Sequence, residues 1–315
     1  MKKLIKTPIL ITGSTGFIGA NLTHYLVSAG YEVHLIIKNQ SNTWRLNSII
    51  NNINFYNADL IEFDKIELII NKIKPKTIFH LATYGAYPYQ NEMDKIKFVN
   101  LDCTINLLRI CEKHNFDIFI NTGSNSEYGF KEDLMKESDI LEPNSYYSVF
   151  KSASTLFCQY ESIHKELPIV TLRPFHVYGP YEEPTRFMPV LINNLLNNNC
   201  PPLVSPHIKR DMIYIQDLID FYIMVSTKLI GLGKIFNIGS GVQYSIEEIV
   251  KVAIDITNST VRPQWNTMSN RVWDSEKWGA DMSLVQDTYN WEPNYNLYDG
   301  MKKTIQWYKN KSRQF

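Results

Sequence analysis

The sequence of 315 residues has no excess of either charge, because 32 Lys and Arg side chains balance 32 Asp and Glu side chains. Proteins that bind nucleic acid normally carry a basic excess, so this balance argues against a nucleic-acid partner. No apolar run approaches the ~20 residues that span a bilayer. The basic segment Met1–Thr7 is followed by a strand-like run rather than by the apolar core of a signal peptide. We therefore expect a cytoplasmic protein that neither binds nucleic acid nor enters a membrane.

Cysteine is also scarce. The four cysteines, Cys103, Cys111, Cys158 and Cys200, show no CxxC spacing and have no histidines at metal-site intervals. These spacings predict reduced thiols in the protein core and no metal site.

Short apolar runs alternate with helical patterns from Pro8–Thr12 to Ile169–Arg173. Strands that alternate with helices predict an α/β fold with a doubly wound parallel sheet. Beyond Gly179, closely spaced prolines break the pattern and predict a smaller, irregular C-terminal lobe. We expect a nucleotide-binding domain over 1–175, to which a segment near 210–245 returns, and a mainly substrate-binding lobe over 176–315.

A glycine-rich turn follows the first predicted strand and opens the first predicted helix. Glycine at the first position permits a tight turn, at the second lets the backbone approach a pyrophosphate, and at the third lets helix and strand pack closely. The helix N-terminus offers N–H groups to the phosphates. A glycine-rich turn without a ligand is the alternative. The placement favours a Rossmann domain whose cofactor-binding residues are Gly13, Ser14, Thr15, Gly16, Phe17, Ile18 and Gly19.

The second predicted strand lacks the carboxylate that an NAD site uses to bind the ribose 2′-hydroxyl. No Asp or Glu lies between Glu32 and Asp59, and Lys38 follows the strand, with Arg45 further on. Basic side chains here can neutralise a 2′-phosphate, whereas a solvated loop lysine is the alternative. The pattern favours NADP(H), with NAD(H) as the other possibility. Asp59 follows the third predicted strand, where it can accept from the adenine amino group.

A proton-transfer pair lies on one predicted helix, where Tyr147 and Lys151 are four residues apart and share a face. A free phenol has a pKa near ~10, and a nearby ammonium favours the phenolate and lowers that pKa. Ser124 follows a buried strand, at the sheet edge where ligands gather, and can bind a carbonyl oxygen. These three residues suit reversible carbonyl reduction, although Tyr-x-x-x-Lys also occurs by chance and Ser124 can instead cap a turn.

Together these residues resemble the extended short-chain dehydrogenase/reductase family over nearly the whole chain. Thr12–Gly19 is similar to its TGxxGxxG turn, and Ser124, Tyr147 and Lys151 are similar to its catalytic triad. Further segments resemble its landmarks in the family's order: His80–Thr83 (HLAA), Leu172–Pro180 (LRxxNVYGP), Arg210–Asp217 (RDFIYVxD), Phe236–Gly241 and Asn290–Pro293.

The resemblance implies a nucleoside-diphosphate sugar substrate, bound between the nucleotide domain and the C-terminal lobe. It adds Leu60, Leu81, Ala82, Thr83, Tyr147, Lys151 and Pro174 to the cofactor site. It also implies that the substrate contacts are Tyr84, Ser124, Asn125, His176, Arg186, Arg210 and Arg271. Arg210 and Arg271 would grip the diphosphate, and His176 replaces the family's usual asparagine. Family members commonly form homodimers through two helices that correspond to Phe98–Lys113 and Tyr147–His164, although plain core packing is the alternative for these helices.

Three reactions are common in this family: 4,6-dehydration, epimerisation and ketoreduction. Dehydratases carry acidic residues just after the catalytic Ser or Thr, where this chain has Asn125 and Ser126, and Glu127 is one residue out of step. The segments Tyr84–Pro88 and Tyr181–Arg186 are similar to those of reductases of the CDP-abequose synthase kind. We therefore expect NADP(H)-dependent reduction of the 4-keto group of a nucleotide-linked 6-deoxy or 3,6-dideoxy hexose. The alternatives are an NAD-dependent nucleotide-sugar epimerase and a non-catalytic dinucleotide-sensing protein.

Overall fold

The computed structural model describes residues 4–268 and 277–311 and contains two compact units. The first unit comprises Met1–Tyr128, Ile140–Arg173 and Ile219–Phe236. The second unit comprises Gly129–Asp139, Pro174–Leu218 and Asn237–Phe315.

The helices and strands follow the predicted alternation in the first half of the chain. The strands are β1 (Ile9–Thr12), β2 (Val33–Ile37), β3 (Asn54–Asn57), β4 (Thr77–His80), β5 (Ile118–Thr122), β6 (Ile169–Pro174), β7 (His176–Tyr178), β8 (Lys209–Tyr214), β9 (Ile235–Ile238), β10 (Gln243–Ser245) and β11 (Lys277–Trp278). The helices are α1 (Phe17–Ser28), α2 (Phe63–Ile73), α3 (Met93–Lys97), α4 (Cys103–Glu112), α5 (Tyr146–Lys165), α6 (Phe187–Leu196), α7 (Ile215–Lys228), α8 (Ile246–Thr257), α9 (Ser283–Tyr289) and α10 (Leu297–Lys311). A π-helical turn, Phe98–Asp102, joins α3 to α4, and short 3₁₀ helices cover Asn47–Asn52 and Asn125–Tyr128.

The main sheet has the strand order β3-β2-β1-β4-β5-β6-β9, which confirms the predicted doubly wound α/β fold. The strand pairs from β3 to β6 are parallel, and β1 lies between β2 and β4. Every residue of β1 is buried, as expected for a strand covered on both faces. The strand order reverses beside β1, and ligands of such sheets bind outside the carboxyl ends of the strands at this point. The glycine turn and the residues after β4 and β5 all lie at this edge.

One side of this sheet is covered by α2, α4 and, through Cys158, α5. The isoleucines of α2 recur on one face and are buried, whereas Leu68 on the opposite face is exposed. Cys111 and Cys158 belong to this core, and Cys103 is also buried, so burial raises the pKa of all three thiols. Cys200 departs from the prediction of a core thiol because it is exposed.

The second unit contains a small mixed sheet in which β8 pairs antiparallel with β10 and parallel with β7 and β11. It is therefore less irregular than its prolines indicate. Pro189 illustrates the reason, because it lies in the first turn of α6. Proline is tolerated in a first turn, where its missing N–H would have no intrahelical acceptor.

Candidate active site

The glycine turn joins β1 to α1 and lies against the backbone that follows β4. Gly13 has a φ of +72°, and a Cβ there would lie 2.5 Å from the Ala82 nitrogen. The Gly16 N–H donates to the Gly13 carbonyl at 3.1 Å, which closes the turn. A Cβ on Gly19 would overlap the Gly13 carbonyl oxygen. Gly13 and Gly19 are thus required by a close backbone approach, whereas a Cβ on Gly16 would lie 3.2 Å from the Gly13 carbonyl oxygen.

The start of α1 is equipped to bind an anion. No side chain caps this helix at Gly16, and its first turn has no acidic residue. The Ser14 hydroxyl is buried and has no hydrogen-bond partner among the described residues. Unused donors, a helix N-terminus and a turn without Cβ atoms together fit a pyrophosphate group. Thr15, Phe17 and Ile18 complete the turn and begin the helix.

Two basic residues follow β2, and the structure places them differently. Lys38 is exposed directly after the strand. Arg45 is buried, donates from Nη1 to the Thr15 carbonyl at 3.2 Å, and lies 4.6 Å from the centre of the Trp44 ring. The Arg45 guanidinium is therefore held against the glycine turn itself, whereas Lys38 stands at the strand end.

Asp59 and Leu60 follow β3 at the same sheet edge, and both are half-buried. The Asp59 backbone N–H donates to the Glu62 carboxylate at 2.7 Å, and the Asp59 carboxylate accepts from the Ile61 N–H at 3.4 Å. These contacts fix the turn that leads into α2.

A directed chain of hydrogen bonds passes through His80 at the end of β4. The Ala82 N–H donates to Thr12 Oγ1 at 3.4 Å, and Thr12 Oγ1 lies 2.7 Å from His80 Nδ1. His80 Nε2 lies 2.9 Å from the Thr104 hydroxyl, which itself donates to the Asn100 carbonyl. Since Thr104 has only one proton to donate, His80 must donate from Nε2 and accept at Nδ1. Burial lowers the pKa of His80 to about 3, so the ring is neutral and firmly fixes the segment that follows.

Asn100 is a site residue that sequence reasoning missed. It lies in the π-helical turn, is fully buried, and accepts at Oδ1 from the Thr83 hydroxyl at 2.7 Å and the Tyr84 N–H at 3.3 Å. Its amide donates to the Tyr84 carbonyl at 2.6 Å and the Ile96 carbonyl at 2.9 Å. A π turn widens the helix locally and is frequent at functional sites. No local pattern in the sequence marks Asn100, which is the one buried residue of this turn.

Two of the three proton-transfer residues are tied to the end of β5. Lys151 is 5 % exposed and donates from Nζ to the Thr122 carbonyl at 2.7 Å. Ser124 lies two residues after Thr122, and its hydroxyl shares a 2.7 Å hydrogen bond with the Ser126 hydroxyl. Tyr147 is half-buried one turn before Lys151 on α5, which Ser145 caps. All three residues therefore belong to the first unit, at the predicted sheet edge.

The ammonium of Lys151 is unusual because it is buried without a carboxylate bonded to it. Burial lowers its pKa from 10.5 to about 8, and the negative charge of Glu127 partly opposes that shift. At neutral pH the group is mostly protonated but close to its titration range. Such a tuned cation is typical of sites that move protons.

The buried carboxylate of Glu127 is bonded to structural partners. Its carboxylate pairs with Arg173 at 2.8–2.9 Å, accepts from the Ser124 N–H at 2.7 Å, and accepts from the Thr155 hydroxyl at 3.1 Å. Arg173 also donates to the Tyr128 hydroxyl at 2.8 Å and lies over that ring. Both charged groups are almost fully buried. Through the hydrogen bond from the Ser124 N–H to Glu127, the pair fixes the backbone of Ser124.

The substrate contacts expected in the first unit are Tyr84 and Asn125. The Tyr84 hydroxyl donates to Glu92 at 2.8 Å, and Lys95 lies over its ring, so it is held in a surface cluster. The Asn125 amide nitrogen is buried and has no partner among the described residues.

The substrate contacts expected in the second unit are His176, Arg186 and Arg210, at β7, the start of α6 and β8. Arg186 is exposed, whereas Arg210 is buried and donates to the Lys209 carbonyl at 2.8 Å. Pro174, expected beside the cofactor, ends β6 and is buried. Arg271 lies outside the described residues.

The two aspartates of the Arg210–Asp217 segment are structural. Asp211 is fully buried and accepts from the Ser240 N–H and hydroxyl, the Gly241 N–H and the Ala280 N–H, at 2.6–3.1 Å. Asp217 accepts from two backbone N–H groups at Asn294 and Tyr295, at 2.8 and 3.2 Å. These bonds give both aspartates a structural role.

Neither a membrane-spanning helix nor a cluster of metal ligands occurs among the described residues. Across 4–268 and 277–311, no helix combines the length and apolar character needed to cross a membrane. Over the same ranges, no group of three His, Cys, Asp or Glu side chains could hold a metal ion.

The chain is similar to proteins of known activity along almost its whole length. It is 26 % identical over 358 residues to dTDP-D-glucose 4,6-dehydratase of Dictyostelium discoideum, which covers 96 % of this chain and 81 % of that protein. It is 25 % identical over 317 residues to UDP-glucose 4-epimerase of Mycolicibacterium smegmatis, covering 96 % and 99 % of the two chains.

A solved structure is equally similar. UDP-glucuronic acid 4-epimerase from Bacillus cereus, in complex with UDP-glucuronic acid and NAD, superposes with a TM-score of 0.85 at 26 % identity, covering 96 % of this chain and 99 % of that one. Residues 9–239 match the model of the NAD dependent epimerase/dehydratase family. These matches confirm the resemblance to the nucleotide-sugar branch of the extended short-chain dehydrogenases/reductases, and the chain belongs to the NAD dependent epimerase/dehydratase family.

Proposed function

We propose that the protein is an oxidoreductase that uses NADP(H) to reduce the 4-keto group of a nucleoside-diphosphate 6-deoxy or 3,6-dideoxy hexose. The observation that supports the chemistry is the buried ammonium of Lys151, bonded to the strand that leads to Ser124 and one helical turn from Tyr147. In this arrangement a hydrogen-bond donor, a proton donor and a tuned cation come from two adjacent elements of one unit.

In the proposed reaction, the Ser124 hydroxyl donates to the carbonyl oxygen of the sugar and orients it. When bound, a nicotinamide cofactor would supply the hydride to the carbonyl carbon. The Tyr147 phenol donates the proton that the oxygen needs as it becomes an alcohol. The positive charge of Lys151 stabilises the phenolate that remains until solvent restores the proton.

The groups proposed to hold the cofactor are those of the glycine turn together with Ser14, whose buried hydroxyl lacks a partner. The case for a 2′-phosphate rests on the basic side chains after β2, where an NAD site would carry a carboxylate. Arg45 is fixed to the turn, and Lys38 stands at the strand end. Both side chains would neutralise the additional phosphate of NADP(H).

An NAD-dependent nucleotide-sugar epimerase is the second candidate, and the comparisons favour it specifically. The Bacillus cereus relative is an epimerase with NAD bound. An epimerase would use the same three residues but would return the hydride to the sugar, so no cofactor would be consumed. Dehydration is not proposed, because Asn125 and Ser126 cannot exchange protons as carboxyl groups do and Glu127 is bonded to Arg173.

A paired titration with NADPH and NADH separates the two candidates. We expect tighter binding of NADPH, and we expect both Lys38→Ala and Arg45→Ala to reduce that preference. Lys251→Ala, an exposed lysine on α8, is the matched control and should change nothing. A preference for NADH, or a resident NAD that does not exchange, would refute the reductase and favour the epimerase.

The role of Tyr147 is tested by Tyr147→Phe, which removes only the hydroxyl. We expect the variant to bind cofactor normally and to lose nearly all turnover of 4-keto nucleotide sugars. Full activity would show that another group supplies the proton. A wild-type protein that binds cofactor and nucleotide sugars but turns over neither would instead indicate a dinucleotide sensor.

We also propose that the first unit binds the dinucleotide and that His176, Arg186 and Arg210 of the second unit bind the nucleotide sugar. The charges of Arg186 and Arg210 suit a diphosphate, since a guanidinium binds phosphate oxygens in a bidentate manner.

We propose further that the protein forms a homodimer through α5. Five large apolar side chains at helical spacing are exposed on this helix: Tyr146, Val149, Leu156, Tyr160 and Ile163. A continuous exposed apolar stripe is typical of an interface. Light scattering should give twice the chain mass, and Leu156→Glu should give monomers. A monomeric wild-type protein would refute the dimer.

A further inference from the structure

Three buried polar atoms of the second unit have no hydrogen-bond partner among the described residues. They are Glu182 Oε2, His176 Nδ1 and Trp278 Nε1. A buried polar atom without a partner destabilises the folded state, and native structures leave few of them. The side chains of Glu182 and Trp278 are 7 % and 6 % exposed, so bulk water does not satisfy them. Such a group of unused atoms is what a polar ligand would complete.

His176 presents an acceptor rather than a positive charge. Burial and the nearby guanidinium groups of Arg210 and Arg186 hold the pKa of the ring well below its usual value. A hydrogen bond to the Asp211 backbone opposes this shift, and it must involve Nε2 because Nδ1 has no partner. Nδ1 therefore carries a lone pair. The Trp278 ring lies perpendicular to His176 at 5.8 Å between ring centres, and its Nε1–H is a donor.

Glu182 is held in the loop between β7 and α6. Its backbone N–H donates to the Gly179 carbonyl at 3.4 Å. Gly179 has a φ of +151°, and a Cβ there would overlap Ile215, so this loop has little freedom. Arg186, four residues further on, is the charged group that acts on Glu182, and it acts on His176 as well. The charge of Arg186 therefore affects both Glu182 and His176.

The protonation state of Glu182 follows from its burial. Burial raises the pKa of its carboxyl group to about 8, although Arg186 and the Gly179 backbone bond partly oppose the shift. Near neutral pH the group is an uncharged acid, and its O–H can donate. A carboxylate at this position would repel an anionic ligand that Arg186 and Arg210 attract, whereas the acid adds a donor without adding negative charge.

We propose that the buried carboxyl group of Glu182, whose Oε2 has no partner among the described residues, donates a hydrogen bond to an oxygen of the nucleoside diphosphate bound by the second unit. This inference rests on the proposed function, because it assumes that the substrate is a nucleotide sugar. Glu182 is a binding residue in this proposal, and Trp278 Nε1 and His176 Nδ1 are a further unused donor and acceptor of the same unit.

The test is calorimetric titration of the full-length protein with UDP and with dTDP between pH 7 and 9.5. Affinity should be constant up to about pH 8 and then fall towards tenfold per pH unit. At pH 8.5, comparison of two buffers of different ionisation enthalpy should show uptake of roughly three-quarters of a proton on binding. Glu182→Gln, an isosteric mimic of the neutral acid, should bind with near wild-type affinity at pH 7 and without proton uptake.

Glu183→Gln is the matched control and should keep the wild-type pH profile. The comparison between variants matters because the pKa of Lys151 also lies near 8. An identical pH profile in Glu182→Gln, or wild-type affinity that rises with pH, would overturn the inference but leave the proposed function intact. Absence of binding by either nucleotide at every pH would overturn both. Since proton uptake is measured on the wild-type protein, the test does not depend on a variant that folds.

Discussion

Replacing Lys151 by methionine should make the protein more stable at neutral pH while abolishing catalysis. Methionine keeps an unbranched side chain of similar length but removes the charge. The ammonium is 5 % exposed and has no carboxylate bonded to it, so the folded state holds a charge that would be better solvated in the unfolded chain. The stability cost is retained for function, a trade-off expected at active sites.

The size of the effect follows from the shift of the Lys151 pKa from 10.5 to about 8. At about 1.36 kcal/mol per pH unit, the charged form costs about 3 kcal/mol at pH 7. Loss of the hydrogen bond to the Thr122 carbonyl offsets about 1.5 kcal/mol of the stability that is gained by removing the buried charge. Lys151→Met should therefore be more stable by about 1.5 kcal/mol at pH 7, which corresponds to roughly 3–6 °C in Tm for units of this size.

The pH dependence has a definite sign. Because the folded-state pKa lies below the unfolded-state pKa, the folded protein releases this proton first, and its stability rises between about pH 8 and 10.5. The advantage of Lys151→Met should thus shrink by about 2 kcal/mol between pH 7 and 9.5. Urea unfolding at both pH values measures this change. The exposed Lys251→Met serves as the control and should show none. An unstable variant at pH 7 whose deficit is independent of pH would refute the reasoning.

Three other substitutions test the supports of the site. Glu127→Gln leaves the guanidinium of Arg173 buried without its counter-charge and should cost about 3–5 kcal/mol in urea unfolding; a loss below about 1 kcal/mol would contradict the buried pair. Ser14→Ala should leave the Tm unchanged, because the hydroxyl has no protein partner, yet weaken cofactor binding in a fluorescence titration; unchanged affinity would remove Ser14 from the site. Asp211→Asn should destabilise the second unit by about 2–3 kcal/mol, since an amide nitrogen cannot accept the N–H bonds made by the carboxylate; urea unfolding followed by tryptophan fluorescence checks this, and a stable variant would show that those bonds are dispensable.

The fold of the first unit could be predicted from sequence because its signals are local. An uninterrupted apolar run such as Ile9–Thr12 identifies a strand buried on both faces, and glycines at fixed spacing identify a turn with close backbone approach. The second unit was harder, because its proline-rich stretches hide regular elements. Pro189 lies in the first turn of α6, a position that a count of prolines cannot distinguish from a helix interior.

The parts of the candidate site that sequence did not reveal depend on contacts between distant residues. Asn100 reaches Thr83 and Tyr84 only because a π turn changes the direction of its side chain, and no local pattern marks that turn. The same holds for the buried position of Glu182, which depends on how its loop packs. In sequence, Glu182 and Glu183 are equivalent, and only the structure shows that Glu182 is the buried one.

Glu127 connects the structural and the chemical roles in the first unit. Its carboxylate fixes the Ser124 backbone and neutralises Arg173, and its negative charge also raises the pKa of Lys151 against the effect of burial. Without that charge, burial would lower the Lys151 pKa further, and a smaller share of the molecules would hold the ammonium that is proposed to stabilise the Tyr147 phenolate. Glu127→Gln should therefore shift the acid–base profile of turnover as well as destabilise the fold. Glu127 lies one residue beyond the positions at which dehydratases carry their acidic residues. It thus acts through Lys151 rather than on the substrate.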